Sequence, residues 1–102
     1  MYASLKGWIN VPYVIKPFVK YSGSGTKQFG ENIASLCYPV GDVKIVTDAS
    51  GSEVASTTQL FVDGSESIKI TDSIVFAGEE RPILRITDYY RDGHVDLKVV
   101  YL

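Results

Sequence analysis

The chain has 102 residues and a mass of 11.2 kDa, the size of one domain, and we predict a single domain over residues 1–102. Such a chain can bury about 65% of its unfolded surface, so its core needs neither a disulfide nor a metal. The hydrophobic share of 45% and the charged share of 22% exclude a disordered chain, and the net charge of −2 gives no overall attraction to nucleic acid or to an anionic membrane.

The sequence also carries signals about the compartment. No run approaches the roughly 20 apolar residues of a membrane span, and "MYASLKGWIN" lacks the apolar core and cleavage site of a signal peptide. The single cysteine, Cys37, cannot form an internal disulfide and lies in the apolar run "IASLCYPV", where we expect a small buried side chain. We therefore expect synthesis inside the cell and no membrane partner.

Short apolar segments separated by turn residues are typical of a small antiparallel β-barrel or sandwich, here of six to seven strands. The strands are predicted over 13–21, 33–41, 43–48, 54–62, 68–76, 81–90 and 94–102, where 43–48 either continues or bends the strand before it. No segment has a sustained helical period, although one helical turn is possible at 1–10 or 30–36.

Alternation predicts which side chains share a face of each strand. The predicted apolar faces are Tyr13, Ile15, Val19 and Tyr21; Ile68, Ile70, Ile74 and Phe76; Leu84, Ile86 and Tyr90; and Val95, Leu97, Val99 and Tyr101, the last set opposite Asp96 and Lys98. Pro17 indicates a strand edge or a bulge.

Three connections have recognisable turn chemistry. The Gly- and Ser-rich segment 22–32 is predicted to be a flexible connection, and "DASGSE" at 48–53 a tight polar turn. The pair Asp92-Gly93 is a hairpin signal that predicts antiparallel pairing of strands 81–90 and 94–102.

Motifs for catalysis or cofactor binding are incomplete. In "GSGTK" at 23–27 a threonine separates Gly from Lys, so the phosphate-loop pattern fails, and "DASGSE" lacks the glycine and glutamate positions of a calcium loop. One histidine, His94, and one cysteine provide no zinc cluster, and we expect His94 at the surface beside its turn. We predict no enzyme activity, no cofactor and no metal; a small enzyme or a carbohydrate binder is the weakest alternative.

Nucleic-acid binding by a small β-barrel is the main alternative function. The aromatic residues Tyr13, Phe18 and Tyr21 lie close in sequence to Lys16 and Lys20, an arrangement that suits base stacking beside cations. The simpler interpretation places the rings in the core and the lysines at a strand edge. Charge is uneven, since residues 1–40 carry four lysines against one glutamate, while the rest carries six basic and eleven acidic residues.

From residue 38 onward, the order of features resembles a family of phage proteins. "GSEV" in a polar turn, "STTQLFV" in a strand, "DSIVFAG", "ILRI" and a terminal "VYL" follow one another as in the minor capsid, head-completion or head–tail stopper proteins of tailed-phage necks. The resemblance covers about two-thirds of the chain, and residues 1–37 match nothing in it.

The resemblance implies a virion protein made in the host cytoplasm. Copies that are monomers in isolation would form a ring between the portal or adaptor and the tail, seal the packaged DNA with transient contact, and dock the tail. The channel-facing loop would be Thr47–Ser56, with Asp48, Ser50, Gly51, Ser52 and Glu53 directed at the lumen.

Ring contacts need open strand edges. We predict these edges on the final strand, at Lys98 and Tyr101, or on the strand that contains Lys16 and Pro17.

Overall fold

A computed structural model describes residues 9–48 and 50–102. In these ranges the chain forms eleven β-strands and no helix, which confirms the predicted all-β class. The strands are β1 (Val11–Lys16), β2 (Phe18–Tyr21), β3 (Lys27–Phe29), β4 (Ile33–Val40), β5 (Lys44–Thr47), β6 (Glu53–Ser56), β7 (Gln59–Asp63), β8 (Ser73–Phe76), β9 (Glu79–Pro82), β10 (Arg85–Arg91) and β11 (His94–Tyr101). A helical turn at 30–36 is wrong because β4 begins at Ile33, and the one suggested at 1–10 lies almost wholly outside the described residues.

Seven strands form one antiparallel sheet that curls into a half-barrel, in the order β10-β11-β7-β4-β1-β8-β9. The two edge strands, β9 and β10, are consecutive in the chain and are joined by only Ile83 and Leu84. In a flat sheet the outer strands would lie six spacings apart, about 29 Å, whereas the link reaches at most about 11 Å. The sheet therefore has to curl, which makes the domain barrel-like rather than a sandwich.

The main hydrophobic core lies inside this curl. It consists of Tyr13, Ile15, Cys37, Leu60, Val62, Ile68, Ile74, Ile83, Val100 and Leu102, with Val11, Phe76 and Ile86 packed against it. The strand register places these residues on one face, since Ile15 lies opposite Ile74, and Leu60 lies opposite Val100. Burial of Cys37 and of the pair Tyr13 and Ile15 is as predicted.

The final strand, β11, lies inside the sheet rather than at its edge. Lys98 pairs with Asp88 of β10 and Val62 of β7, and Tyr101 pairs with Arg85 and Gln59. The predicted edge position of Lys98 and Tyr101 is therefore wrong. Lys16 is also inside the sheet, since it pairs with Ser73 of β8, while β4 flanks β1 on its other side.

Both faces of β11 are buried, which the predicted one-sided alternation did not anticipate. Val99 and Val100 point to opposite faces, yet their exposed fractions are 2% and 0%. The second face packs around the rings of Tyr38 and Phe61, whose centroids lie 6.1 Å apart, and Phe61 is directly opposite Val99. A strand in the middle of a sheet whose two faces are both covered has apolar side chains on both faces.

Backbone and side-chain hydrogen bonds anchor the end of β11. The amide of Leu102 donates to the carbonyl oxygen of Thr58 at 2.9 Å. The carbonyl oxygen of Leu102 accepts from the amide of Thr57 at 3.1 Å and from the Ser56 hydroxyl at 3.0 Å. The predicted strand 54–62 is interrupted at this anchor, where it divides into β6 and β7.

Two short hairpins, β2–β3 and β5–β6, form separate two-stranded sheets. Pro17 interrupts the predicted strand 13–21 between β1 and β2, so Val19 and Tyr21 do not continue the buried face of Tyr13 and are 60% and 57% exposed. The predicted loop 22–32 contains β3. Proline breaks the ladder here because it has no amide hydrogen to donate.

The segment before β8 is a turn rather than a strand. Strand structure begins at Ser73, and the buried carboxylate of Asp72 organises residues 69–72. One of its oxygens accepts the amide of Lys69 at 2.9 Å and the other accepts the amide of Phe18 at 2.8 Å. Ile68 reaches the core from this segment, whereas Ile70 is 38% exposed.

The β10–β11 hairpin is confirmed. Asp92 and Gly93 have φ angles of +51° and +82°, as a two-residue turn with two left-handed positions requires. The register shift between Tyr89 and Tyr90 leaves Asp96 as an extra residue in β11, and Tyr90, near the turn at the end of β10, is 70% exposed rather than buried with Ile86.

Gly64 provides a test of how closely β7 approaches β11. Its amide donates to the carbonyl oxygen of Asp96 at 3.3 Å, and a Cβ atom at this position would lie 2.1 Å from the carbonyl oxygen of Val95. We expect Gly64→Ala to lower the free energy of unfolding by about 3 kcal/mol because the two strands must separate. Urea denaturation measures this change. Gly23→Ala is the control, since its Cβ would have no neighbour within 4 Å; equal midpoints for the two variants would contradict the packing.

Candidate functional site

The β5–β6 turn, which the resemblance predicts as the channel-facing loop, is held by a network of hydrogen bonds around Asp48. One carboxylate oxygen of Asp48 accepts three hydrogen bonds. Two come from Ser50, from its amide at 3.0 Å and from its hydroxyl at 2.7 Å, and the third comes from the amide of Ser52 at 3.0 Å. Two backbone bonds close the turn, from the amide of Asp48 to the carbonyl of Ser52 and from the amide of Gly51 to the carbonyl of Asp48. The tight polar turn is therefore confirmed.

The predicted channel loop is shorter than Thr47–Ser56. Thr47 pairs with Glu53 in the β5–β6 ladder, and Ser56 is buried beside Leu102, so only the turn between Thr47 and Glu53 lies outside strands. Ser50, Gly51, Ser52 and Glu53 are exposed. Gly51 has a φ of +88°, a left-handed conformation that explains why glycine is used there.

Hydrogen bonding lowers the pKa of Asp48. The bond from the Ser50 hydroxyl is the largest cause, and amide donors from the turn add to it. Because the pKa is depressed in the folded protein, the carboxylate stabilises the turn at neutral pH, and this contribution is lost as the pH falls through the folded pKa. The turn therefore presents a negative charge at physiological pH.

Asp48 also lines a cleft formed by four parts of the chain. Two adjoining depressions share Asp48, Ile70 and Leu84. The remaining lining residues are Lys27, Thr47, Ser50, Thr71, Ile83, Arg85 and Ile86. The cleft thus lies where the β5–β6 turn meets the β9–β10 corner, the turn before β8 and the β2–β3 hairpin.

Two cations of the cleft are held by backbone carbonyls. The Lys27 ammonium donates to the carbonyl oxygen of Thr71 at 3.2 Å, and the Arg85 guanidinium donates to that of Thr47 at 3.3 Å. With Asp48 they place both signs of charge around an apolar floor of Ile70 and Leu84. Such a cleft suits a partner that carries both apolar and polar groups.

The cleft is not predictable from local sequence. Lys27, Ile70 and Arg85 are far apart in the sequence, and each falls in a segment predicted as a loop or as a regular strand. Two features bring them together. The sheet curls, and the Asp72 carboxylate accepts amides from both the turn before β8 and the start of β2. Alternation instead predicts Ile70 on the buried face of a strand with Ile68 and Ile74, so no local signal indicates its place in the cleft.

The remaining predicted residues do not form a common site. Pro17 lies between β1 and β2 and its carbonyl accepts the amide of Gly30 at 2.8 Å, while Lys16 forms an ion pair with Glu80 at 2.6 Å. Cys37 is fully buried, and burial raises the pKa of its thiol to about 12, so it stays protonated and unreactive. His94 is exposed beside the β10–β11 turn, as predicted.

Two buried side-chain oxygens among the described residues, on Tyr13 and Gln59, have no hydrogen-bond partner. The Tyr13 hydroxyl has no hydrogen bond of good geometry, because the nearby Ser35 hydroxyl donates to Glu66. Burial, and then the charge of Glu66, raise the pKa of Tyr13, so the phenol stays neutral. Gln59 donates to the carbonyl of Asp42 at 2.8 Å, while its own carbonyl oxygen has no partner.

Within residues 9–48 and 50–102, no group of three or more His, Cys, Asp or Glu side chains is placed to hold a metal ion. The same residues include no helix with the length and hydropathy needed to cross a membrane. No protein-family model matches the chain, and no curated protein has significant sequence similarity to it.

The bond between Ser50 and Asp48 is directly testable. We expect the Asp48 carboxyl to titrate below its ordinary pKa of 3.8, and Ser50→Ala to raise this pKa because the strongest donor is lost. Carbon-13 NMR of the side-chain carboxyl during an acid titration measures it. Ser24→Ala, in the β2–β3 turn, is the matched control; a shift of equal size in that variant, or none in Ser50→Ala, would contradict the assignment.

Proposed function

We propose that this protein is a structural, non-enzymatic subunit of the neck of a tailed phage. Copies of it form a ring between the portal or adaptor and the tail, seal the packaged DNA and provide a docking face for the tail. The ordered features from residue 38 to the end, which resemble those of head-completion proteins, motivate the choice of assembly. The surface of the domain supports a role in assembly independently of that resemblance.

The observation that carries the proposal is the number of large apolar side chains left in solvent. Among the described residues, six of them lie outside the β2–β3 hairpin in three stretches of the chain: Ile33 and Leu36 on β4, Val43 and Ile45 at the start of β5, and Tyr89 and Tyr90 on β10, each 45% to 70% exposed. Single exposed apolar residues are ordinary, but several large ones on a domain of 102 residues support the presence of surfaces that partners cover. A subunit between two neighbours and two rings needs several such surfaces.

Open edges of the main sheet add a second mode of contact. Within residues 9–48 and 50–102, β9 and β10 each have one hydrogen-bonded neighbour in the sheet. β9 has four residues and ends in Pro82, whereas β10 has seven and carries the exposed Tyr89 and Tyr90. Under the proposal, β10 and the β5–β6 hairpin make the ring contacts, in place of the final strand or the strand that contains Lys16 and Pro17.

The β5–β6 turn suits a surface that faces DNA without holding it. Asp48 keeps its charge at neutral pH, and Glu53 lies beside it on the exposed part of β6. Negative charge repels DNA phosphates, which favours release of the genome when the tail opens.

Disruption of the gene in its genome, followed by negative-stain electron microscopy of the lysate, tests the proposal. We expect unjoined tails and heads that have lost DNA. Intact, joined virions would refute the neck assignment.

Complementation with variants tests the apolar surface. The double variant Val43→Ser, Ile45→Ser removes side chains that are 67% and 66% exposed, so we expect a change of about 0.5 kcal/mol or less in the free energy of unfolding. It should nevertheless fail to restore joined virions. Lys44→Gln, between the two sites, is the control and should restore them; full rescue by the double variant would show that this surface is not used.

A further inference from the structure

The β2–β3 hairpin has an aromatic face created by a β-bulge. Phe18 pairs with Phe29 and Lys20 pairs with Gln28, so Val19 is an extra residue in β2. The bulge brings Phe18 and Tyr21 to the same face despite their odd spacing. Their rings meet edge to face with centroids 5.0 Å apart.

Lysines accompany these rings. Lys27 lies directly opposite Tyr21 in the ladder, and its ammonium is 5.7 Å from the centre of the Phe18 ring. The ammonium of Lys16 is 5.1 Å from the centre of the Phe29 ring. Both distances are within the range of cation–π attraction.

Acidic groups near the hairpin are largely engaged elsewhere. Asp72 accepts two backbone amides, and Glu80 pairs with Lys16. Lys69 is exposed in the turn that Asp72 joins to β2. Lys16, Lys20 and Lys27 therefore lie on or next to this hairpin, with Glu31 shortly after β3, while Asp48, which lines the same cleft as Lys27, limits how far an anion can extend.

We propose that the aromatic face of the β2–β3 hairpin binds single-stranded nucleic acid, with a base stacked on Tyr21 and phosphates beside Lys27 and Lys69. This goes beyond the neck function and does not depend on it. Tyr21 is the ring best placed for stacking, since its side chain is 57% exposed whereas Phe18 and Phe29 are half-buried.

An unpaired strand fits this face better than a duplex or an acidic peptide. Stacking on a tyrosine requires a base that is free of its partner, and it tolerates any sequence because every base has a π face. An acidic peptide would use the lysines but would leave the exposed ring unused. With few cations, the binding is weak, with a dissociation constant on the order of 10⁻⁴ M at moderate salt.

Fluorescence anisotropy of a labelled 20-residue oligothymidylate at low salt tests the proposal with the full chain. We expect Tyr21→Ala to weaken binding about fivefold or more, and Tyr21→Phe to retain it. Lys27→Gln, which keeps a donor for the Thr71 carbonyl, should reduce the slope of log affinity against log salt by about 0.7. Urea denaturation verifies that each variant is folded.

Two matched controls locate the surface. Tyr90→Ala removes a tyrosine that is 70% exposed on β10, and Lys20→Gln removes a charge from the opposite face of the same hairpin; both should leave binding unchanged. The proposal is overturned if the wild-type protein does not bind, if Tyr21→Ala binds as well as Tyr90→Ala, or if polyglutamate competes as well as unlabelled oligothymidylate.

Discussion

The two-residue link between β9 and β10 is the constraint on which the rest of the structure depends. It ties together the two edges of a seven-stranded sheet, so the sheet curls and encloses Leu60, Ile74 and Val100. The same curl brings the β9–β10 corner to the β5–β6 turn, which creates the cleft lined by Asp48. Fold and candidate site thus have one physical origin.

Much of the fold could be predicted from local signals. The Asp92-Gly93 turn, the buried alternation of Tyr13 and Ile15, and the polar turn at 48–53 each depend on neighbouring residues. Strand order depends instead on contacts between distant segments. The only local hint that β11 is an inner strand is the succession of Val99 and Val100, because two consecutive apolar residues favour burial on both faces. This hint does not identify the neighbouring strands. The bulge at Val19 could not be predicted from the sequence either, because it depends on the register of β2 against β3.

The candidate site could be predicted only in part, for the same reason. Asp48 and Ser50 were found because their hydrogen bonds are confined to one turn. Lys27, Ile70 and Arg85 join them through the curl of the sheet and through Asp72, a buried carboxylate that connects two distant turns. Alternation does not report which strand lies at an edge, so the open edges predicted on the strands that became β11 and β1 fall inside the sheet. In the proposed contacts, the exposed pair Val43 and Ile45 at the start of β5 and the pair Tyr89 and Tyr90 on β10 take their place.

Strand β11 is paired on both sides, by β10 and by β7, so under the proposed function the hairpins and β10 would make the ring contacts instead. Amide hydrogen exchange of the free protein, followed residue by residue by NMR, tests this most directly. We predict that the amides of Leu97–Tyr101 exchange at the slow rate set by global unfolding, whereas every second amide of β10 exchanges much faster. Fast exchange along one side of β11 would contradict the sheet order and return the open edge to the final strand.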